Sequence, residues 1–366
     1  MNTYSFFSIR TAMLLILFSS ITMSQDRTEI TSRFLELARI QSVTGYEDDL
    51  HNYLKENLPE HGTVLSDNMG NLIVLFGNED PELIIVAGID EPGYVISEIR
   101  KDGYMRVQPA SRVQNPLFNQ FHEGHLVDIH TEHGVVRGIV SIPSSHITRN
   151  KPPIMPLDQF IIDVGAENET DVASLGINIL DPAAAVKDIA MLQGNRAAGP
   201  LLSRKFPAFV LLELIREVGG GLEKPVAFAW TAKSSNRNSG AARLANEYAP
   251  SHVLLIKSFQ QETARGSETV SNPVSEPGSG VLVPNNLVTL QSESTLARSI
   301  IASANARGIS LTPSTTGRIA EEQNFQSAHV LPLSIPVQYP ESLVESIDMD
   351  DLSELITLLK EVLNGY

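Results

Sequence analysis
The chain of 366 residues contains no cysteine. That excludes disulfides, thiolate metal ligands, a lipid-modified N-terminal cysteine and a cysteine nucleophile. Basic residues are scarce: 27 Lys and Arg stand against 43 Asp and Glu, a formal net charge of −16. This balance argues against nucleic-acid binding and against adhesion to an anionic membrane, since both need a basic face to neutralise phosphate. No internal repeat or low-complexity run is visible. The N-terminus stands apart. Residues 1–24 carry one charge, Arg10, ahead of an apolar segment (Ala12 to Met23) too short to span a bilayer comfortably. With Thr22-Met23-Ser24 following, it reads as a secretory signal cleaved before Gln25. A secreted or periplasmic protein is expected, with no membrane association after cleavage; an uncleaved anchor is the alternative.

What is present is an ordinary globular composition, 42% hydrophobic and 19% charged, long enough for a large core and two domains. The organising stretch is Leu83 to Tyr94. Leu83 to Ala87 is an unbroken apolar run, the pattern of a strand covered on both faces in an α/β sheet. Asp90 and Glu91 arrive where that strand should end, and the carboxyl ends of parallel strands are where such sheets place their sites. Asp90 is therefore the first candidate site residue, weighed against a plain turn cap. Residues 27–58 read as two helices, and Leu72 to Phe76 as a strand. From Val95 to about Asp188 short β runs alternate with turns such as Asp102-Gly103 and His133-Gly134. The α/β pattern resumes near Gly194. It gives a helix over Phe206–Val218 with Glu213, Arg216 and Glu217 as its polar stripe and Gly219-Gly220-Gly221 as its stop. Further strands are expected at Val226–Trp230, Val253–Ile256 and Leu333–Val337, further helices at Ala241–Tyr248, Thr295–Ala306 and from about Asp350 to the end. Ser258–Gly280 reads as a polar surface loop, Trp230 as core, and Glu321-Glu322 as solvent-facing.

Several of these segments, in order and spacing, resemble the glutamyl-aminopeptidase-like, tetrahedral aminopeptidases, which are dinuclear zinc exopeptidases. The resemblance runs from about Phe34 to the C-terminus. It is carried by Ser42–Glu47, by Asp67–Leu72, by Phe160–Ala166 with Leu175-Gly176 and Asp181-Pro182, and by Gly194-Asn195-Arg196. It implies a three-layer α/β sandwich of zinc-exopeptidase type, with an inserted β-barrel-like dimerisation domain. The expected division is 1–24 signal, 25–95 and 191–366 the catalytic-type domain, and 96–190 the insert. It also implies a homodimer, with a tetrahedral dodecamer as the higher assembly open to the family.

The family's chemistry is carried over residue by residue. Its Ala-His-Met-Asp-Glu segment reads Ala87-Gly88-Ile89-Asp90-Glu91 here, which keeps the orienting Asp but puts Gly88 at the His ligand. Leu-Asp-Asp-Arg reads Leu202-Ser203-Arg204-Lys205, so the bridging position is Ser203. Thr-Val-Gln-Glu-Glu reads Thr231-Ala232-Lys233-Ser234-Ser235, so the general base falls on Ser234 and the next ligand on Ser235. The remaining two ligand positions fall on Lys257 and Glu341. Zinc needs several His, Asp, Glu or Cys donors converging at about 2.0–2.3 Å. Gly, Ser and Lys at these positions are expected to bind neither of the family's two zinc or cobalt ions, and Ser234 supplies no general base. The expectation is a pseudoenzyme without cofactor, in which Lys257 forms an internal ion pair with Asp90 and Glu341. Its role would be peptide binding, scaffolding, or regulation of an active homologue. The alternatives are an active metallo-aminopeptidase, or a Ser–Lys hydrolase using Ser203, Ser234 or Ser235 with Lys233 or Lys257. A relocated metal site is a further candidate: His122, His125, His130 and His133 place four of nine histidines in the insert.

Overall fold
Five apolar strands alternate side chains between two separate cores. Leu72, Val74, Phe76, Ile85 and Phe228 face the larger core, whereas Ile73, Leu75, Ile84, Val86 and Ala229 face the smaller one. That two-sided burial, read from consecutive apolar residues, requires a layer of helices on each face. In the computed structural model the described residues are 27–365 except 79, 112–117, 142–156, 219–220, 223, 260–274, 288–293, 315–322 and 326–327. The sheet they form has six strands, in the order Thr63–Ser66, Leu72–Phe76, Val226–Thr231, Leu83–Gly88, His252–Ile256, His329–Leu333. The last four are mutually parallel, and Leu72–Phe76 runs antiparallel to both of its neighbours. The helices Phe206–Val218, Thr295–Arg307 and Met349–Asn364, together with residues 27–38, cover one face; Ser239–Glu247 covers the other.

A closed six-stranded barrel interrupts this layer structure between Tyr94 and Ala185, in the order Tyr94–Ile99, Met105–Pro109, Ile161–Asp163, Gly134–Val140, Leu126–Thr131, Pro182–Ala185. Its interior is filled by Tyr94, Ile96, Val107, Val127, Phe160 and Ile162 among others. Gly103 makes its first hairpin possible: φ is +79°, and a Cβ there would lie 2.2 Å from the Ala166 carbonyl oxygen. The three-layer α/β architecture with an inserted barrel is thus the one expected.

Several local expectations are corrected. The strand placed at Leu333–Val337 instead runs His329–Leu333, and the chain leaves the sheet through Ser334-Ile335-Pro336 before a short strand at Val337–Gln338. Pro332 is tolerated because this is an edge strand. Glu213 is buried rather than part of an exposed stripe, held by Arg33 at 2.5 Å and Arg216 at 2.9 Å. Trp230 is core as expected, its Nε1 donating to the Ala208 carbonyl. Residues 1–24, most of the 258–280 loop, Gly219-Gly220 and Glu321-Glu322 lie outside the described residues.

Candidate functional site
Strand register decides what meets at the carboxyl end of the sheet. Thr231 is level with Gly88, and Ile256 with Ala87. The residues just past each strand, Asp90 and Glu91, Lys233 to Ser235, and Lys257, are therefore delivered to one edge. Asp90, 1% exposed, is saturated by neutral donors. The Ser234 amide (2.6 Å) and hydroxyl donate to its Oδ1; the Ser235 amide (2.9 Å) and the Thr44 hydroxyl (2.8 Å) donate to its Oδ2. Ser234 also fills the space beside Gly88, where a Cβ would lie 2.8 Å from the serine oxygen. Glu47 accepts from the Lys233 amide, and burial, reinforced by nearby Asp90, raises its pKa.

Side chains alternate along extended chain, so Glu91 points away from Asp90 and into the core. There it meets two lysines, Lys187 at 2.5 Å and Lys205 at 3.2 Å, and its Oε1 accepts from the Ser42 amide. Lys205 donates to the Ser42 hydroxyl at 2.6 Å. Glu91 and Lys205 are fully buried. Burial opposes ionisation of Glu91, but the paired lysines outweigh it and hold the carboxyl below its usual range. Burial pushes the Lys205 ammonium down to about 8 against the pull of Glu91. A second buried carboxyl, Glu345, accepts from the Ser203 amide (2.6 Å), the Ser203 hydroxyl (2.8 Å) and the Glu341 amide (2.5 Å). Burial pushes it up to about 7. Backbone strain gathers here as well. Leu201, Lys233, Tyr339 and Glu341 all sit at φ between +54° and +61°, a region costing non-glycine residues about 1–3 kcal/mol each.

Asp90, Lys257 and Glu341, expected as an ion-pair cluster, make the following contacts. Asp90 takes four neutral hydrogen bonds, and Glu341 pairs with Arg204 at 3.0 Å. Lys257 is half-buried at its strand end, its amide bonded to the Leu333 carbonyl. The cations inside the cluster are Lys187 and Lys205, which sequence reasoning missed, as it missed Glu345. The four insert histidines go separate ways. His122 is buried against Tyr94, Phe118 and Phe160, and burial pushes its pKa down to about 4. His125 contacts the Glu123 carbonyl, His130 lies 3.6 Å from Asp49, and the His133 ring packs against Gly176. Among the described residues no group of three or more His, Asp or Glu is arranged to hold a metal ion.

The sequence profile of M42 glutamyl aminopeptidase matches residues 70–358. The chain belongs to the M42 glutamyl aminopeptidase family. It is 25% identical to a lysyl aminopeptidase of Pyrococcus furiosus over 336 residues, covering 88% of this chain and 93% of that protein. A glutamyl aminopeptidase of Lactococcus lactis is 26% identical over 199 residues, 51% of this chain and 54% of its own length. Among solved structures, a dodecamer of PhTET1 superposes with a TM-score of 0.79 at 26% identity, covering 91% of this chain and 98% of its own. The TET1 peptidase of Pyrococcus horikoshii, which assembles into a tetrahedron or a large octahedral shell, matches with a TM-score of 0.78 at 26% identity, covering 92% and 99%.

Two expectations are corrected by this assignment. A protein without cofactor is not what the family leads to, because its members are dinuclear metal enzymes. The secreted or periplasmic location also loses its footing. The matched proteins are aminopeptidases and TET assemblies of archaea and bacteria, and the segment on which the location rested is outside the described residues. Among the described residues no helix is long and apolar enough to cross a membrane. As for fit, the side chains at the positions implied by the resemblance are Gly88, Ser203, Ser235, Lys257 and Glu341. They offer one carboxylate, already paired with Arg204, two hydroxyls and an ammonium. That donor set does not suit a dinuclear centre.

Proposed function
We propose that this chain engages peptides at the cleft of its aminopeptidase scaffold without turning them over, as a binding, scaffolding or regulatory member of its family. The supporting observation is the hydrogen-bonded closure of the site. Asp90 is saturated by Thr44, Ser234 and Ser235, and Ser234 occupies the space beside Gly88. Serine at position 234 cannot deprotonate an attacking water as a glutamate would. The left-handed backbone at Lys233, Tyr339 and Glu341 supports a ligand-binding role for this end of the sheet, since such strain persists where function or packing demands it.

A second reading is an active metallo-aminopeptidase releasing N-terminal residues. It is supported by family membership and by near-full-length similarity to a lysyl aminopeptidase. One experiment separates the two. The chain is loaded with zinc or cobalt, its bound metal is measured, and hydrolysis of a panel of aminoacyl anilides is assayed on the same sample. Turnover with two tightly bound equivalents establishes the second reading and overturns the first. Absence of turnover, with measurable binding of peptides, supports the first. A Ser–Lys hydrolase, drawing on Ser203 or Ser234 with Lys233 or Lys257, is tested in parallel by fluorophosphonate labelling. Ser203 and Ser234 both donate to carboxylates, Glu345 and Asp90, an arrangement that does not deprotonate serine at neutral pH. The TET assemblies support a higher oligomer, with the barrel over 96–190 as the dimerising element. Light scattering after size-exclusion chromatography measures it.

A further inference from the structure
The amino end of the sheet, opposite the cleft just described, brings two histidines together. The parallel strands His252–Ile256 and His329–Leu333 each open on a histidine, and the register sets these two residues level with one another. Residues at the same level of a strand pair project to the same face. Main-chain bonds fix both positions: the His252 amide donates to the Glu82 carbonyl and the His329 amide to the Ser251 carbonyl. The two rings lie 5.7 Å apart between centres, with 30° between their planes. His252 is half-buried and His329 exposed, so the pair is open to solvent.

Two imidazoles held this way form a chelating pair. Metal–nitrogen bonds of about 2.0–2.1 Å, at tetrahedral or wider angles, put the ring centres roughly 5–6 Å apart. The spacing is that of two ligands on one ion, and turning the rings about their outer bonds is enough to aim both at it. A ligating histidine is oriented by a hydrogen bond at its other ring nitrogen. The Thr295 hydroxyl lies 3.3 Å from His252 Nε2, which leaves Nδ1 of that ring to the metal. The donor type selects the ion. Imidazole suits copper, zinc and nickel, whereas magnesium and calcium take oxygen ligands. The place in the fold gives the ion a role. His329–Leu333 is an edge strand, and its Pro332 cannot donate to the ladder. An ion shared by the two histidines fastens that strand to its neighbour.

We propose that His252 and His329 form a two-histidine site for a divalent transition-metal ion, with water completing its coordination, that pins the edge strand to the sheet. The site is independent of what the cleft does. The test uses the full-length chain, free of any tag and stripped with chelator. Titration with Cu²⁺, followed by electron paramagnetic resonance, should show the tightest equivalent coupled to nitrogens of two imidazoles. The cleft positions Gly88, Ser203, Ser235, Lys257 and Glu341 include no imidazole, so copper held there lacks that signature. His252→Gln and His329→Gln should each weaken this equivalent about tenfold or more, because each turns a chelate into a single ligand. His61→Gln, at an exposed histidine beside the opposite edge strand Thr63–Ser66, should leave it unchanged. Zn²⁺ should raise the melting temperature of the native chain and of His61→Gln, but of neither site variant, and Mg²⁺ should raise none. Circular dichroism confirms the fold of each variant, and the spectrum of the native chain decides the matter where a variant folds poorly. Coupling to fewer than two imidazoles, unchanged affinity in either folded site variant, equal loss in His61→Gln, or no zinc-dependent rise in melting temperature would overturn the assignment.

Discussion

Replacing Glu91 by Gln tests the reading of the buried cluster most directly. The native carboxylate lies 2.5 Å from the Lys187 ammonium and 3.2 Å from that of Lys205, and neither it nor Lys205 has any exposure. Asp90 cannot take over, because its oxygens are already occupied by serine and threonine donors. An amide keeps the volume but removes the charge that both lysines depend on. Removing one partner of a buried ion pair costs about 3–5 kcal/mol, chiefly because the remaining charge stays buried and uncompensated. Urea unfolding near pH 7 should report a loss of that size for Glu91→Gln. A pH signature should accompany it. Lys205 has a folded pKa of about 8 against an ordinary 10.5, so above pH 8 the folded chain holds fewer protons than the unfolded one. Stability contributed by this group is full above the unfolded pKa and is lost as pH falls through the folded one. The native protein should therefore gain stability between about pH 8 and 10.5 from this group. In Glu91→Gln the folded pKa drops further, the gain begins at lower pH, and each added pH unit contributes at most about 1.4 kcal/mol. Adding Lys205→Met should recover part of the loss by removing the stranded ammonium. A Glu91→Gln protein within about 1 kcal/mol of native stability, or a double variant worse than the sum of its parts, would refute the reasoning.

Three further outcomes are expected. Gly88→Ala places a methyl 2.8 Å from the Ser234 hydroxyl and should cost about 1–3 kcal/mol by overpacking; the combination with Ser234→Ala should remove most of that cost, and an unaltered urea midpoint in the single variant would contradict it. Glu345, pushed up to about 7 by burial, contributes stability that is full below its unfolded pKa and lost as pH rises through 7, so Glu345→Gln should flatten the stability profile between about pH 4.5 and 7. His122, pushed down to about 4 by burial, contributes stability present above its ordinary pKa of 6.5 and lost as pH falls through 4; its ring carbon resonances should show no protonation step near pH 6.5, and a normal titration there would place it outside the core.

The parts of the fold legible in the sequence were those with one dominant local signal. Leu83 to Ala87 carried no polar residue, and that alone required a strand covered on both sides. Phe206–Val218 and Met349–Asn364 showed helical apolar spacing and were found at those places. Strands with weaker signals were not anticipated: Ala190–Leu192 is exposed throughout, and Glu345–Asp348 buries a polar sequence, so neither shows the alternation that marks a half-buried strand. The end of His329–Leu333 was misplaced because Pro332 and Pro336 break the local pattern on both sides of it.

The site divided along the same line. Asp90 was singled out because an apolar run ended beside it. Its partners were not, because they depend on pairing register rather than on local sequence. With Thr231 level with Gly88, Asp90, two positions past its strand, meets the residues three and four positions past Thr231, and that geometry brings the Ser234 and Ser235 amides to Asp90. Backbone amides are invisible to a search for charged partners, which is why the Ser234 and Ser235 amides were not anticipated at Asp90. The error over Lys187 and Lys205 has a different origin. One follows the last barrel strand and the other opens a helix of the sandwich, and nothing in either neighbourhood marks a lysine for burial; lysines are almost never fully buried unless paired. Only the inward turn of Glu91, fixed by its alternation with Asp90, calls both into the core. A carboxylate at the end of a buried strand therefore implies two questions, one for each side of the chain, and the neighbour of the obvious candidate holds the larger share of the buried charge.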